Sequence, residues 1–154
     1  MNNRQFRVKI GDYCTEYFEI LTGVPQGSVL SPTLFSIYIN DIPMNNKKNQ
    51  INSLLFADDL AYYHIYKKGI GAVSKKINKH LSALEQWAGK WRLSFAPHKC
   101  NYLVFSNNQI NESEKLKLKL NGIVLKYDNN PTFLGIRFEN HLTFANQVKY
   151  LQGD

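Results

Sequence analysis

The most regular pattern along the chain is a stripe of apolar residues between positions 70 and 91. These residues recur at steps of three and four, the spacing that places side chains on one face of an α-helix. The stripe comprises Ile70, Val73, Ile77, Leu81, Leu84, Ala88 and Trp91. Lysines and a glutamate fill positions between them, so we predict an amphipathic helix that packs its stripe against a sheet and is not a ligand site.

Turn-forming residues between runs of strand formers predict several hairpins. Residues 6–10 and 15–20 flank a turn that begins at Gly11. Leucine and lysine alternate before Asn121-Gly122, a pair that favours the type I′ turn of a hairpin. The alternation places the leucines on a buried face of the hairpin and the lysines on a solvent-exposed face. Further strands are predicted over residues 102–105 and 132–138.

Two shorter helices are predicted from their boundary residues. Ser31 is the expected N-cap and Pro32 the first helical residue of a helix that stops at Asp41, ahead of Pro43. The other helix covers residues 143–151. Helices mixed with strands, antiparallel where the hairpins dictate, indicate the α+β class.

The composition predicts one domain with its own core. The chain has 154 residues, 44% of them apolar, and a net charge of +7. That charge favours a polyanionic partner, although each lysine pair equally suits an ordinary solvated face. Cys14 and Cys100 lack metal-binding spacing, and no signal peptide or membrane-length apolar run is present. We therefore expect reduced thiols and an intracellular protein, in the cytoplasm or nucleus, with no membrane partner.

Two adjacent carboxylates, Asp58 and Asp59, lie at the bend between two apolar runs. The flanking residues 53–56 and 60–63 are strand formers, so the pair is expected at the tip of a hairpin. Paired carboxylates on a rigid tip suit a hard divalent cation such as Mg²⁺, which takes oxygen ligands. Acidic residues also occur in turns for local hydrogen-bonding reasons, so the pair alone does not establish a metal site.

Upstream, a glycine-bracketed loop leads into the helix that starts near Ser31. Gly23 and Gly27 permit backbone conformations closed to other residues, and Pro25 stiffens the loop between them. Free amides at a helix N-terminus suit contact with a phosphate or nucleotide. The alternative is a plain loop before a core helix.

These segments together resemble a known family. GVPQGSVLSP (residues 23–32), then YINDIP (residues 38–43) and FADD (residues 56–59), resemble the reverse transcriptases of non-LTR retrotransposons, particularly the jockey-like insect type. The first and third blocks are similar to polymerase motifs B and C. Residues 87–99 resemble motif D, and residues 132–136 resemble motif E, the primer grip. Maturase-like or telomerase-like polymerases are the runner-up, with a similar palm.

The resemblance implies a fold and a reaction. The fold would be part of a right-hand polymerase palm, an antiparallel sheet with packed helices. Residues 1–154 would form a single partial reverse transcriptase domain with motifs B to E, and residues 140–154 would begin the thumb. The reaction would be transfer of nucleotides from a deoxynucleoside triphosphate (dNTP) to a primer on an RNA or DNA template, with two Mg²⁺ ions.

The resemblance also assigns residues. Asp58 is the first metal ligand and Asp59 the second, while Lys99 would give a proton to pyrophosphate or be a solvated surface lysine. The residues expected near the nucleotide or the metals are Gln26, Gly27, Ser28, Phe56 and Ala57. The residues expected to position the primer are Phe133, Leu134 and Gly135. Phe56, Phe133 and Leu134 equally suit simple core positions.

One departure from the family bears on activity. Relatives have a further catalytic aspartate in motif A and template-holding fingers, and the residues before Gly23 contain only Asp12, Glu16 and Glu19 in an apparent hairpin. We therefore expect a piece of a polymerase that is inactive and poorly stable alone, its partner being the missing fingers and motif A segment. The alternative is a non-catalytic nucleic-acid-binding remnant. The polymerase assignment further requires the acidic bend and the glycine loop to converge on one groove.

Overall fold

The computed structural model describes residues 4–21, 23–25, 27–44, 51–66, 70–111 and 115–153. The chain divides into two compact units, one ending at Asn40 and the other beginning at Asp41. Short strands and helices are mixed, so the predicted α+β class is confirmed. Among the described residues, no helix is long and apolar enough to cross a membrane.

The first unit opens with the predicted hairpin around Gly11. Its strands are β1 (Arg4–Phe6), β2 (Lys9–Ile10), β3 (Tyr13–Cys14) and β4 (Phe18–Ile20). Strands β2 and β3 pair next to the turn, and β1 pairs with β4 further out. Residues 15–17 lie opposite residues 7–8, so the second half of the hairpin contains a bulge. Thr15 bridges it, because its backbone N–H donates to Val8 O and its hydroxyl accepts from Val8 N, each at 3.0 Å.

Helix α1 (Ser31–Tyr38) follows the glycine loop, and two details of its prediction were wrong. The N-cap is Leu30, and Ser31 is the first helical residue, with Pro32 after it. The Ser31 hydroxyl donates a 2.5 Å hydrogen bond back to Pro25 O, so it ties the loop to the helix instead of capping the helix. The helix ends three residues earlier than expected, at Tyr38.

The second unit is built on an antiparallel hairpin and the long amphipathic helix. The elements are β5 (Ile51–Phe56), β6 (Asp59–His64) and α2 (Ile70–Lys90). The predicted stripe is confirmed, since Val73, Leu81, Leu84 and Ala88 are buried. His80 is buried too, and its ring meets the Tyr62 ring edge to face at 4.4 Å, which packs β6 on α2.

Pro43, in the segment before the β5–β6 hairpin, forms hydrogen bonds with both Tyr62 and His80, and these three residues are called the His80 cluster. The Tyr62 hydroxyl donates to Pro43 O at 2.7 Å. Burial lowers the pKa of His80, and a hydrogen bond with the Pro43 backbone opposes that shift. Burial also raises the pKa of Tyr62. Burial has the larger effect, so the His80 cluster favours the neutral form of His80.

A carboxylate joins the segment after α1 to the end of α2. Asp41 Oδ1 accepts a hydrogen bond from Trp87 Nε1 at 2.9 Å, and Asp41 Oδ2 accepts one from Trp91 Nε1 at 3.2 Å. The two tryptophans are four residues apart, so their indoles leave the same side of the helix. One side chain thus fixes two residues of the segment that resembles motif D.

A second hairpin lies against another side of α2. Its strands are β8 (Lys119–Leu120) and β9 (Ile123–Val124). The predicted type I′ turn is confirmed by positive φ angles of 50° at Asn121 and 76° at Gly122. Leu118 and Leu120 are buried while the alternating lysines are exposed, as the pattern predicted. Next to it, β10 (Lys126–Tyr127) pairs in parallel with β7 (Asn101–Tyr102), which is shorter than the strand predicted there.

The C-terminal residues form a third hairpin and helix α3 (Ala145–Gln152), in agreement with the predicted final helix. The prediction of one strand over residues 132–138 was wrong: β11 (Thr132–Phe133) and β12 (Ile136–Arg137) pair around a two-residue turn. Arg137 joins the hairpin to α3, because its N–H donates to Gln147 Oε1 at 2.8 Å and its guanidinium lies 3.9 Å from the centre of the Tyr150 ring. The Glu139 carboxylate accepts a hydrogen bond from Ala145 N at 3.0 Å. This position is favourable because a negative charge interacts well with the N-terminus of a helix.

The buried neutral His80 predicts a stability that depends on pH. Its pKa is lower in the folded chain than the ordinary 6.5, so the unfolded chain binds the proton first as pH falls. This contribution to the free energy of unfolding is complete above pH 6.5 and is lost as the pH falls from there towards the folded pKa. Urea unfolding of His80→Gln should lack this part of the pH dependence. The exposed His98, changed to Gln, should retain it, and equal profiles for both variants would contradict the assignment.

The Asp41 contacts predict a second stability effect. Asp41→Asn replaces one acceptor oxygen with an N–H₂ donor, so one indole loses its partner, and we expect a loss of about 1–3 kcal/mol in the free energy of unfolding. Near-ultraviolet circular dichroism of the tryptophans should change as well. The matched control is Asp12→Asn in the exposed turn of the first hairpin. A loss no larger than the control's would show that the two indole bonds contribute nothing measurable.

Candidate functional site

The acidic bend is the tip of the β5–β6 hairpin, as predicted. The register pairs Leu55 with Leu60 and Phe56 with Asp59, which leaves Ala57 and Asp58 as the two turn residues. Ala57 has a positive φ of 50°, an uncommon conformation for a residue with a Cβ. Both aspartates are exposed, so their carboxylates are open to solvent and to a ligand.

The two faces of this hairpin differ in burial. One face carries Ile51, Ser53 and Tyr62 and packs inside the unit. The other face carries Leu54, Phe56, Tyr63 and, at the tip, Asp59. Its apolar side chains are 54%, 65% and 47% exposed, in that order. Phe56 is therefore not a core aromatic here, and it lies on the same face as Asp59 because cross-strand partners share a face.

The carboxylate pair supplies part of a metal site. Two carboxylates provide the oxygen donors that Mg²⁺ prefers, so Asp58 and Asp59 suit that ion in donor type. Among the residues that the structure describes, no group of three or more histidine, cysteine, aspartate or glutamate side chains could hold a metal. A further ligand would have to come from outside this set.

The glycine loop belongs to the first unit. Gly23 and Gly27 have φ angles of 83° and 78°, so both use the conformational freedom for which glycine is suited. No other atom lies within 4 Å of where a Cβ on Gly27 would be, which leaves the loop surface open. Pro25 O accepts from Ser28 N at 3.4 Å as well as from Ser31, so it closes the loop on itself. Gln26 lies outside the described residues.

The glycine loop and the acidic tip belong to different units of the chain. Their convergence on one groove therefore stays a prediction. The same holds for the roles of Gly27, Ser28 and Ala57 near a nucleotide.

Lys99 ends a short 3₁₀ helix, Pro97–Lys99, beyond α2. Its side chain is exposed, and its N–H donates to Ala96 O at 3.0 Å. The Cys100 thiol donates to the same carbonyl, and burial raises the pKa of that thiol. The fold thus fixes the backbone of Lys99 and leaves its ammonium group free to reach a ligand. Its role in proton transfer stays a prediction.

The residues predicted to position a primer form the tip of the β11–β12 hairpin. Leu134 and Gly135 are the turn residues, with φ angles of 50° and 79°, and Phe133 is half-buried in the strand before them. Leu134 is 46% exposed, so reading it as strand core was wrong. The tip presents backbone and one leucine outward, a shape that suits contact with a polymer backbone.

Sequence reasoning missed two residues that hold the second unit together, Asp41 and His80. Asp41 was treated only as the end of a helix, yet it binds Trp87 and Trp91. The spacing of four between the tryptophans was the available signal. His80 was missed because a histidine beside an apolar stripe gives no sign of its Tyr62 contact.

Comparison with known proteins identifies a matching family and several similar sequences. The family described as "Reverse transcriptase (RNA-dependent DNA polymerase)" matches residues 4–150. The chain is 29% identical to the RNA-directed DNA polymerase from mobile element jockey of Drosophila melanogaster over 99% of its own length, and 31% identical to that of Drosophila funebris over 97%. It is 27% identical to the probable RNA-directed DNA polymerase from transposon BS of Drosophila melanogaster, over 97% of its length.

The matches cover a small share of these relatives. The chain spans 17%, 16% and 17% of their respective lengths. No solved structure matches the chain.

The turn geometry at the acidic tip gives a prediction. Ala57→Gly should raise the free energy of unfolding by about 0.5–1 kcal/mol, because it relieves roughly 1–2 kcal/mol of left-handed strain and costs roughly 0.4–1 kcal/mol of unfolded-state entropy. Ala61→Gly, in strand β6 of the same hairpin, should instead lower it by about 0.5–1 kcal/mol. Thermal or urea unfolding measures both. A loss of stability in Ala57→Gly would contradict the positive φ.

Proposed function

The chain belongs to the reverse transcriptase (RNA-dependent DNA polymerase) family, and on that premise we propose that it serves as the metal-binding and primer-binding part of a jockey-like retrotransposon polymerase. Family membership implies a palm-type polymerase fold. We further propose that residues 1–154 form a single partial palm with motifs B to E, and that residues 140–154, with α3, begin the thumb. The reaction proposed for the intact polymerase is template-directed addition of a dNTP to a primer.

The observation that carries the proposal is the pair of exposed carboxylates at the tip of an ordered hairpin, inside the matched region. Asp58, as a turn residue, would be the first metal ligand, and Asp59, at the start of β6, the second. When bound, Mg²⁺ ions activate the primer hydroxyl and stabilise the leaving pyrophosphate. The chain's own part would be to hold two carboxylates beside the reaction centre, so that the cations they bind offset the negative charge of the reacting phosphate.

Other residues of the chain would bind and orient the substrates. The open loop surface at Gly27, with Ser28 and Gln26, would border the incoming nucleotide. Lys99 would donate a proton to pyrophosphate from the end of its 3₁₀ helix. Phe133, Leu134 and Gly135 would hold the primer backbone, and the link from Arg137 to α3 supports that hairpin.

We propose that further segments of the intact polymerase cover the acidic hairpin. Leu54, Phe56 and Tyr63 form an exposed apolar face, which in a stable protein is buried by another element. Strands β5 and β6 pair only with each other among the described strands, so both hairpin edges are open. A covering segment with the fingers and a third aspartate would bury this face and complete the metal site.

The 154-residue chain by itself should be inactive for the same reason. The described residues provide two carboxylates and no third ligand beside them, which leaves the metals under-coordinated, and loss of one member of a concerted site removes most of its activity. The second candidate function is non-catalytic nucleic-acid binding. It is supported by the net charge of +7, which favours a polyanion whether or not the metal site is complete.

A chimeric polymerase tests the catalytic proposal. The segment of a jockey polymerase that aligns with this chain would be replaced by residues 4–150, and primer extension on an RNA template would be measured. We expect extension, and we expect Asp58→Asn to lower its rate by about 10³-fold or more because the metal loses a ligand.

The matched control in the chimera is Asp12→Asn, which removes one carboxylate from the first hairpin and should change the rate little. Equal rates for Asp58→Asn and the control would refute the metal role. Extension by the 154-residue chain alone would contradict the expected inactivity. Salt-dependent binding of a primed template without extension by the chimera would favour the non-catalytic function.

A further inference from the structure

Five exposed lysines lie where α2 meets the β8–β9 hairpin. They are Lys75, Lys79, Lys117, Lys119 and Lys126, and together they are called the basic face. Lys75 and Lys79 belong to α2, Lys119 to β8 and Lys126 to β10, while Lys117 lies two residues before β8. Their positions relative to one another follow from the hydrogen bonds between the two elements.

The helix and the strand are joined by side-chain hydrogen bonds along one line of α2. Asn78 Nδ2 donates to Lys117 O at 2.8 Å, and Asn78 Oδ1 accepts from Lys119 N at 2.9 Å. Ser74 donates to Lys117 O at 3.1 Å. These bonds fix the backbone that carries Lys117 and Lys119, so the points from which their side chains extend are set before any ligand arrives.

The two helix lysines lie on the solvent side of this line. Ser74 is followed by Lys75 and Asn78 by Lys79, each about 100° further round the helix. The residues about 100° in the opposite direction, Val73 and Ile77, belong to the apolar stripe. Lys75 and Lys79 therefore extend the exposed surface beside the strand.

The strand lysines share one face of their hairpin. Lys119 pairs with Val124, and extending that register places Lys126 opposite Lys117. Leu118 and Leu120 occupy the opposite, buried face. Like charges directly across a hairpin are destabilising, and an anion bound between them would relieve that repulsion.

Among the described residues of these elements, two acids lie near the lysines. Glu85 is the one acid of α2, and its carboxylate accepts from Asn121 N. Asp128 lies two residues beyond Lys126, and its carboxylate accepts from the Asn101 side chain and from Asn130 N. The five lysines outnumber these two carboxylates, so the described part of the face has a local excess of positive charge.

We propose that the basic face binds the phosphate backbone of a nucleic-acid duplex. Lys117 and Lys119 are about 7 Å apart along their strand, twice the ~3.4 Å charge spacing of one nucleic-acid strand. Val124 is the exposed apolar side chain of the strand face, so the face lacks the apolar centre of a protein interface.

This site is separate from the acidic tip. Hairpin β5–β6 contacts α2 at His80, and β8 contacts it at Asn78. These two side chains leave the helix about 160° apart. The inference therefore goes beyond the proposed polymerase function, because it needs neither carboxylate nor any other segment of the polymerase.

The test is binding of a fluorescent RNA–DNA hybrid duplex by the 154-residue chain, followed by anisotropy between about 50 and 200 mM salt. The variant Lys117→Gln/Lys119→Gln/Lys126→Gln should bind at least about 10-fold more weakly, and the slope of log affinity against log salt should fall by about 3, near 0.9 per lost phosphate contact. Lys75→Gln/Lys79→Gln should lower that slope by about 2.

The matched control is Lys9→Gln/Lys90→Gln/Lys149→Gln, which removes the same charge from exposed lysines elsewhere. It should keep binding within about 3-fold of the unchanged chain. Equal losses in the two triple variants, or no binding by the unchanged chain, would overturn the proposal. Equal competition by polyglutamate would also overturn it, since the face would then select acidic polymers in general. Circular dichroism of each variant confirms that the fold is retained.

Discussion

The packing of the second unit depends on two sets of contacts made by helix α2, one between buried side chains and one by hydrogen bonds. The buried His80 of α2 meets the Tyr62 ring of β6, and this ring contact joins the hairpin with the acidic tip to the helix. Ser74 and Asn78, on another side of the helix, form hydrogen bonds with the backbone of Lys117 and Lys119. These directed bonds fix the register of the segment that carries Lys117 and Lys119 against the helix.

The tips of the functional hairpins have a common geometry. Ala57 and Leu134 each adopt a left-handed φ of 50°, although each carries a Cβ. Such residues cost about 1–3 kcal/mol and persist when the surrounding structure dictates the turn. In both cases the turn projects a short, rigid loop into solvent, one with two carboxylates and the other with backbone groups and a leucine. The proposed phosphoryl transfer would require both turns to keep this geometry.

Local signals explain which parts of the fold were predictable. The α2 stripe and the Asn121-Gly122 turn are specified within a few residues, so periodicity and turn chemistry sufficed. The hairpin at Leu134 was missed because a leucine at a positive φ is unusual, and the sequence therefore reads as a continuous strand. The contacts of Asp41 and His80 join residues far apart in sequence, which no local pattern encodes. The prediction that the aspartate pair forms a site rests on the family motif alone, since acidic turns are common for other reasons.

Catalysis and nucleic-acid binding make different demands on this chain. A metal site needs several ligands at fixed distances, and the described residues provide two carboxylates on a hairpin whose apolar face and edges are open. Phosphate binding by lysines needs only local positive charge on a fixed scaffold, because each contact contributes separately through counterion release. The contacts of Asn78 provide that scaffold within one unit of the chain. The proposed binding by the basic face should therefore be independent of whether the metal site is complete.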